Sequence, residues 1–264
     1  MKLTHDNYHT LENRNLTNSR IGDWLKDPLF FYEKHVTGQR INKSTDAMKI
    51  GSAVDTFIFE GEEVFRSKFV AVARRSIKNP PINVTELTES QYEDCVTMAK
   101  ILIEQPAFKD LADHKTQQIL SLKTDIPIGE HFVGLAGIPD WVKFDGDTCY
   151  LTDLKTAVDA TEGKYYWKCV GFGYFRQFAV QTIIIRKTHP EIKNFVYRHL
   201  VIEKDQNNSI FLPYTFYLAN EKVEEQVDLL IDSIIPAIAS EKEFKSKQAT
   251  WKDAPTIGVV NEDF

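Results

Sequence analysis

Two aspartates and a lysine have the spacing of a small catalytic site. Asp140 and Asp153 are 13 positions apart, and Lys155 follows two residues later. A turn signal at 145–148 predicts a β-hairpin in which the first and last residues of the turn face each other. The same register places Asp140 opposite Asp153 on adjacent strands. Lys155 lies two residues after Asp153 and therefore projects from the same face of its strand.

Two facing carboxylates repel each other unless a shared proton or a cation lies between them. A hard divalent ion such as Mg²⁺ suits the pair, because it takes oxygen ligands and often uses only one or two protein carboxylates. A lysine beside such an ion can orient or deprotonate an attacking water and balance charge at a phosphate. The residues therefore predict a metal site served by Lys155.

The alternative interpretation is a solvated polar pair on the surface of a hairpin. The neighbouring sequence favours a buried sheet over an exposed edge, because the polar residues are interleaved with apolar ones. These are Ile138, Trp141, Val142, Leu151 and Leu154.

Alternating and punctuated segments predict the strands that carry this hairpin. They are 67–73, a meander of 118–123, 131–136, 140–144 and 149–155, and two later strands at 195–203 and 210–217.

Capping and breaking residues predict the helices. They are two short helices within 17–36, divided at Asp27-Pro28, a helix at 46–60, one from a capping box at 88–91 to residue 104, a long helix at 163–187, and a last helix at 220–238 that is bent at Pro236.

This order predicts an α/β (α+β) fold. A mixed central β-sheet, with the meander carrying the active site, is flanked by helices and preceded by a helical N-terminal segment. We expect a single domain over 1–264. Its helical N-terminal part is 1–62, its core sheet and long helix are 64–218, and its C-terminal helix and tail are 219–264.

The composition excludes several classes of protein. With 42% hydrophobic and 27% charged residues, no window approaches the roughly 20 apolar residues of a membrane span, and the N-terminus lacks a secretory signal. We therefore expect a cytoplasmic protein without membrane contact. The three cysteines form no C-x-x-C pair and are expected as reduced thiols. None of the seven histidines has metal-site spacing with another, so core or surface histidines are expected.

The net charge of −6 argues against a protein that coats nucleic acid with its whole surface. It leaves room for a local basic channel. The candidate clusters are Arg74, Arg75 and Lys78, and Lys164, Lys168 and Arg176, although most such clusters are solvated surface.

Several segments resemble the PD-(D/E)XK nuclease superfamily, in the form found in RecE-like (exonuclease VIII-type) phage and prophage exonucleases. The resemblance covers most of the chain. Its signature is Gly137-Ile138-Pro139-Asp140 followed by Leu151-Thr152-Asp153-Leu154-Lys155-Thr156. The segments 16–20 and 51–55 resemble the family's entry segment and its G-x-A-x-H helix, and Tyr174-Phe175-Arg176-Gln177 resembles its Y-x-x-Q element.

The resemblance implies a role for each matching residue. Asp140 and Asp153 would bind Mg²⁺, for which Mn²⁺ can substitute, the Leu154 carbonyl could add a ligand, and Lys155 would serve the water. Tyr174 and Gln177 would complete the catalytic group by positioning DNA or supporting the lysine. The expected DNA-binding residues are Gln181, Arg176, Lys164 and Lys168.

Two positions depart from the family pattern. Asp55 stands where the relatives usually carry histidine, so either a carboxylate takes over a second-metal role or that contact is lost. Asp27 precedes Pro28 where iron–sulfur relatives place a cysteine, and the chain has no cysteine cluster. We therefore expect no iron–sulfur cluster.

The leading hypothesis is a Mg²⁺-dependent exodeoxyribonuclease that degrades double-stranded DNA ends, by resemblance 5′ to 3′, to expose single strands for recombination. The alternatives are an endonuclease or single-strand-specific nuclease of the same fold, and a catalytically inactive DNA-binding relative. By analogy, the partners would be DNA, a single-strand annealing protein, and further copies of the chain in a ring.

Overall fold

The computed structural model describes residues 3–40, 44–73, 84–205, 210–241 and 244. The basic cluster of Arg74, Arg75 and Lys78 lies outside the described residues, as do most of the predicted C-terminal tail and residues 41–43.

The helices are, in chain order, α1 (His5–Tyr8), α2 (Asn18–Lys26), α3 (Pro28–His35), α4 (Asp46–Phe59), α5 (Glu62–Lys68), α6 (Glu89–Glu104), α7 (Pro106–Lys109), α8 (Glu162–Gly171), α9 (Tyr174–Thr188), α10 (Asn220–Leu229) and α11 (Ile235–Ser240).

The strands follow the same order. They are β1 (Asn15–Leu16), β2 (Phe69–Val72), β3 (Thr85–Thr88), β4 (Lys115–Thr116), β5 (Leu120–Ile128), β6 (Phe132–Gly137), β7 (Trp141–Asp145), β8 (Thr148–Ala157), β9 (Asn194–Asp205) and β10 (Ile210–Tyr217).

The chain divides into two compact units. The first comprises Met1–Asn42, Ser121–Ala136 and Asp228–Phe264. It contains a three-stranded sheet of order β1-β6-β5, in which β1 runs parallel to β6. The buried guanidinium of Arg20 donates to the carbonyls of Asn15 and Thr10 at 2.8 and 2.9 Å. These bonds fix the chain that leads into α2.

The second unit comprises Lys43–Leu120 and Gly137–Val227. Its five-stranded sheet has the order β10-β9-β8-β7-β4, and β8 and β9 are parallel whereas the other pairs are antiparallel. In the β7–β8 hairpin Asp145 faces Thr148 and Trp141 faces Thr152, which confirms the predicted register. Gly146 has φ of +58°, as its place in the tight turn requires.

Helix α4 packs against α6 and against β8 in the second unit. The apolar sides of both helices join the sheet in one core, to which Val54, Phe57, Met98 and Leu102 belong. A Cβ atom at Gly51 would lie 3.8 Å from Oγ1 of Thr156, so α4 approaches β8 closely at this point. This packing brings α4 to the strand that carries Asp153 and Lys155.

The predicted fold class, a mixed α/β arrangement with a helical N-terminal segment, is confirmed. Helices α2 and α3 meet at Asp27, whose side chain caps α3, and Thr17 caps α2. The capping box of Thr88 and Gln91 begins α6 as predicted. The last helix is also present, with a π-helical turn at Leu230–Ile234 before Pro236. The prediction of a single domain stays a prediction.

Three elements differ from the prediction. The four strands expected as one meander belong to two sheets, because β5 and β6 pair with β1 whereas β7 and β8 pair with β4 and β9. The predicted helix at 163–187 is two helices, because Gly173 adopts a left-handed conformation with φ of +69°. The strand predicted at 67–73 begins only at Phe69, after the end of α5.

Cys95, Cys149 and Cys169 are free and buried, as expected. Across the described residues, none of the helices combines the length and the apolar character that crossing a membrane requires.

Candidate active site

Asp140 lies immediately before β7, one residue outside the hairpin ladder, which ends at Trp141 and Thr152. Its side chain reaches across to the partner strand, because the backbone N–H of Leu154 donates to Oδ2 of Asp140 at 2.7 Å. The expected neighbourhood of Asp140 and Asp153 is therefore present, although Asp140 joins it through its side chain and not as a ladder pair.

Asp153 lies near the centre of the sheet and is only 2% exposed. Lys155 donates from Nζ to Oδ2 of Asp153, which places both side chains on one face of β8 as predicted. Gln177 on α9 donates from Nε2 to Oδ1 of the same carboxylate at 2.5 Å. Both oxygens of Asp153 are thus fixed in direction by hydrogen bonds.

The first turn of α9 supports the lysine. The Nζ atom of Lys155 lies 4.7 Å from the ring centroid of Tyr174, which is cation–π geometry. Tyr174 and Gln177 are three residues apart and therefore share a helix face. Because Gly173 turns the chain in its left-handed conformation, α9 begins at Tyr174, directly beside the lysine.

Asp55 brings a third carboxylate from α4. Burial, together with the charge of Asp153, raises the pKa of Asp55 to about 7, while Lys155 opposes this rise. Burial and the charges of Asp153 and Asp55 likewise raise the pKa of Asp140 well above its usual range. As whole residues, Asp55 and Asp140 are partly exposed.

For Lys155 the surroundings favour the charged form, whereas for Asp55 and Asp140 they favour the neutral form. Burial disfavours its charged form, yet the charges of Asp153 and Asp140 outweigh burial and raise the pKa of Lys155. One lysine thus faces three carboxylates, and the excess negative charge makes the site electrostatically receptive to a cation.

The donor set fits a hard divalent ion. Within the described ranges, no group of three or more His, Cys, Asp and Glu side chains could hold a metal ion in its present arrangement. Mg²⁺ does not need such a group, because it is commonly held by one or two carboxylates and keeps several waters. Asp140 and Asp153, with Asp55 nearby, meet that requirement by chemistry and charge.

The remaining predicted residues lie in different settings. Leu154 is on β8, and its role as a ligand through the carbonyl stays a prediction. Gln181 is 2% exposed and lies under the chain at Gly137, where a Cβ atom would be 3.1 Å from its Cγ. This buried side chain packs against the signature segment, and its role in binding DNA stays a prediction.

The predicted basic residues on α8 and α9 are more accessible. Lys164 is exposed and pairs with the carboxylate of Asp159, while the partly buried Lys168 donates to the Asp159 carbonyl. Arg176 is partly buried, and burial lowers its pKa. The structure therefore brings Asp55, Asp140, Asp153, Lys155, Tyr174 and Gln177 together, and it places these cations on the flanking helices.

A buried pair lies behind Lys155, and no sequence signal pointed to it. Tyr165 and His199 are joined by a hydrogen bond of 2.8 Å between Oη and Nδ1, and His199 faces Asp153 in the parallel β8–β9 register. The ring of His199 also meets Tyr174 edge-on at 5.3 Å. Burial and the charge of Lys155 hold the pKa of His199 well below its usual range, so the imidazole is neutral. The expectation of a core histidine is correct here, but its position was not readable from spacing.

The fold has a counterpart among solved structures. The chain resembles the crystal structure of a candidate exonuclease from Eubacterium rectale, with a TM-score of 0.68 and 16% identity over 98% of this chain and 96% of that chain. A second solved structure, SSO0001, has a TM-score of 0.33 and 8% identity over 83% of this chain and 76% of that one. No curated protein sequence matches the chain.

A family model described as a PDDEXK-like domain of unknown function (DUF3799) matches residues 30–234, which is more than half of the chain. Its match spans all six residues that meet at the site. The chain belongs to this PDDEXK-like family.

Proposed function

We propose that this protein is a metal-dependent exodeoxyribonuclease that degrades double-stranded DNA from its ends. By resemblance, it acts 5′ to 3′ and leaves single strands for recombination. The observation that carries the proposal is the cluster of Asp55, Asp140 and Asp153 around the ammonium group of Lys155. Such a cluster is costly for a fold to keep, and it suits a reaction on a phosphodiester that brings metal ions with it.

Each residue has a defined task in this proposal. Asp140 and Asp153 would hold the ion, with Asp55 as a further carboxylate. When bound, Mg²⁺ or Mn²⁺ supplies Lewis-acid stabilisation of charge on the phosphate. Lys155 remains protonated beside Asp153 and donates a hydrogen bond that orients the attacking water or steadies the phosphate oxygens.

The surrounding residues hold this lysine and its carboxylate in place. Gln177 fixes Oδ1 of Asp153, and Tyr174 faces the ammonium of Lys155. Both oxygens of Asp153 are hydrogen-bonded, so the carboxylate cannot rotate freely. A substrate phosphate would therefore meet the Asp153 carboxylate and the Lys155 ammonium in a fixed orientation. By analogy with the family, the proposal also includes a ring of several copies of the chain and a single-strand annealing protein as partner.

The test compares linear duplex DNA with closed-circular DNA of the same sequence, in Mg²⁺, in Mn²⁺ and in excess chelator. We expect loss of the linear substrate with either ion, an intact circle, and no reaction in chelator. The matched variants are Asp153→Asn in the site and Asp147→Asn, an exposed aspartate in the turn of the same hairpin. Only Asp153→Asn should abolish cleavage.

Cleavage of the circle would show an endonuclease and contradict the exonuclease proposal. DNA binding without any cleavage would indicate an inactive relative. Full activity in chelator would exclude the metal role. Polarity is read from duplexes labelled at either the 5′ or the 3′ end, and release of label from 3′ ends first would contradict the proposed direction.

A further inference from the structure

Cations and exposed aromatic rings are neighbours along the surface of α8. Lys164, Lys168 and Phe172 are spaced four residues apart and therefore form a row along the helix. Phe172 is the C-cap, one residue beyond the end of α8 at Gly171. Trp167 lies beside that row. The side chains of Trp167 and Phe172 are 68% and 64% exposed. We call these four residues the α8 face.

The exposure of these rings is not needed to bury the helix. The helix already packs inward through Tyr165 and Cys169, each 3% exposed. A tryptophan and a phenylalanine that remain largely in water, each a helical neighbour of one of the lysines, mark a surface that something else contacts.

The α8 face leads to the catalytic lysine. The ring of Phe172 lies 5.7 Å from the ring of Tyr174, and Nζ of Lys155 lies 4.7 Å from that same ring. The exposed ring of Phe172 is therefore linked through the ring of Tyr174 to the ammonium group of Lys155. A chain molecule lying on this face would have its next unit beside the site.

The charge of this region also indicates what the surface binds. From Asp159 to Arg176 the sequence has three cations and two carboxylates, in a protein whose net charge is −6. The side chain of Lys164 is 70% exposed, and its pair with Asp159 is a surface ion pair that a phosphate can replace at little cost. Rings interleaved with cations suit an anionic polymer with flat units better than they suit an apolar protein surface.

We propose that the α8 face is a stacking platform for single-stranded DNA. The bases stack on Trp167 and Phe172, Lys164 and Lys168 contact the phosphates, and the strand passes to Lys155. The platform accepts any sequence, because every base has a π-face. This proposal rests on the proposed nuclease function, since it assigns to that site an unpaired strand such as a frayed duplex end provides.

The experiment measures binding of a fluorescein-labelled dodecamer of deoxythymidine to the full-length protein by fluorescence anisotropy in chelator, so that no cleavage occurs. Trp167→Leu and Phe172→Leu remove the π-face but keep an apolar side chain, whereas Trp167→Phe and Phe172→Tyr keep it. Each leucine variant should weaken binding at least about fivefold, and each aromatic variant should stay within about twofold. Ile231→Ala, at a 51% exposed apolar residue elsewhere, should bind as the unmodified protein does.

Leucine variants that bind the oligonucleotide as tightly as the unmodified protein would overturn the platform, as would an unmodified protein that does not bind it. A surface made for a protein partner gives the first of these results. Cleavage of linear duplex in Mg²⁺ is measured separately on the same preparations. If the leucine variants lose binding while the unmodified protein cuts no DNA, the nuclease proposal fails and the platform stands. If cleavage occurs and the leucine variants bind normally, only the platform fails.

Discussion

The backbone N–H of Leu154 and the carboxylate of Asp140 form a hydrogen bond of 2.7 Å across the end of the β7–β8 hairpin. The hairpin ladder ends at the pair of Trp141 and Thr152, so no backbone carbonyl of β7 accepts from the N–H of Leu154. The side chain of Asp140 accepts this hydrogen bond instead. A charged acceptor on a backbone donor forms one of the stronger hydrogen bonds in proteins. The bond holds Asp140 close to Asp153 despite the repulsion between the two carboxylates.

This bond separates two substitutions of Asp140. Asp140→Asn keeps an oxygen for the Leu154 amide and removes the charge, so its free energy of unfolding in chelator should equal or exceed that of the unmodified protein. Asp140→Ala leaves the amide without this acceptor and should be less stable than the asparagine variant by about 1–3 kcal/mol. Both should lack cleavage. Urea denaturation at pH 8 measures the difference, and equal stability of the two variants would contradict the role of the bond.

Gln177 should act by holding Asp153. Gln177→Ala removes the hydrogen bond to Oδ1, and we expect kcat to fall about 10- to 100-fold, in line with the loss of a group that orients a metal ligand. The KM for DNA should change little, because Gln177 contacts a protein carboxylate. Gln226→Ala on α10 serves as a control. A change confined to KM would show that Gln177 binds DNA instead.

Tyr174 should support Lys155 through its ring. Tyr174→Phe keeps the aromatic face under the ammonium and should retain activity within about threefold, since cation–π attraction is similar for both rings. Tyr174→Leu loses that attraction, worth about 0.5–2 kcal/mol, and should lower kcat about 2- to 30-fold. Single-turnover kinetics at saturating enzyme measures both. Loss of activity in the phenylalanine variant would assign the role to the hydroxyl.

The raised pKa of Asp55 predicts a pH dependence of stability in the absence of metal. The unfolded chain releases this proton near pH 3.9 and the folded chain at about 7. Between these values the folded state binds more protons, so this residue makes the free energy of unfolding fall as pH rises from about 4 to 7. Asp55→Asn should flatten that fall, and Mg²⁺ should reduce it in the unmodified protein.

Thermal melts across pH 4 to 8, with chelator or with Mg²⁺, check this expectation. Asp46→Asn in the first turn of α4 provides a matched control, because it changes an aspartate on the same helix. Identical pH profiles for Asp55→Asn and the unmodified protein would show that Asp55 does not belong to the charge cluster.

The break between α8 and α9 predicts unequal effects of alanine at two glycines. Gly173→Ala places a side chain at φ of +69° and should destabilise the protein by about 1–2 kcal/mol. Gly163→Ala adds a methyl group in open space on α8 and should stabilise by up to about 1 kcal/mol. Chemical denaturation measures both. A neutral Gly173→Ala would mean that the helix boundary tolerates another conformation.

Features of the site that depend on residues close in sequence could be predicted from the sequence. The turn at 145–148 fixed the hairpin register, and with it the shared face of Asp153 and Lys155. Capping signals likewise predicted a helix at 46–60, which is present as α4 (Asp46–Phe59) with Thr45 as its cap. These features depend on residues that are close in sequence or on a single steric requirement.

Features that depend on distant pairing escaped prediction. Periodicity gives each strand but not its partner, so the separation of β5 and β6 from β7 and β8 could not be read. The bond between Tyr165 and His199 exists only because β9 lies parallel to β8. A glycine within an otherwise helical pattern is tolerated often enough that Gly173 gave no clear signal of a helix end.

The central position of β8 also governs the order in which the protein can fold. Its hairpin with β7 closes over a short turn, whereas its parallel pairing with β9 joins residues as far apart as Thr152 and Arg198, 46 positions along the chain. Closing the longer loop costs more chain entropy and needs α8 and α9 to be in place between the two strands. The hairpin can therefore form early with Asp153 still open to water. Asp153 is shielded from solvent only at a later step, when β9 and α9 arrive, so the repulsion between Asp153 and Asp140 opposes the completion of folding and not its beginning.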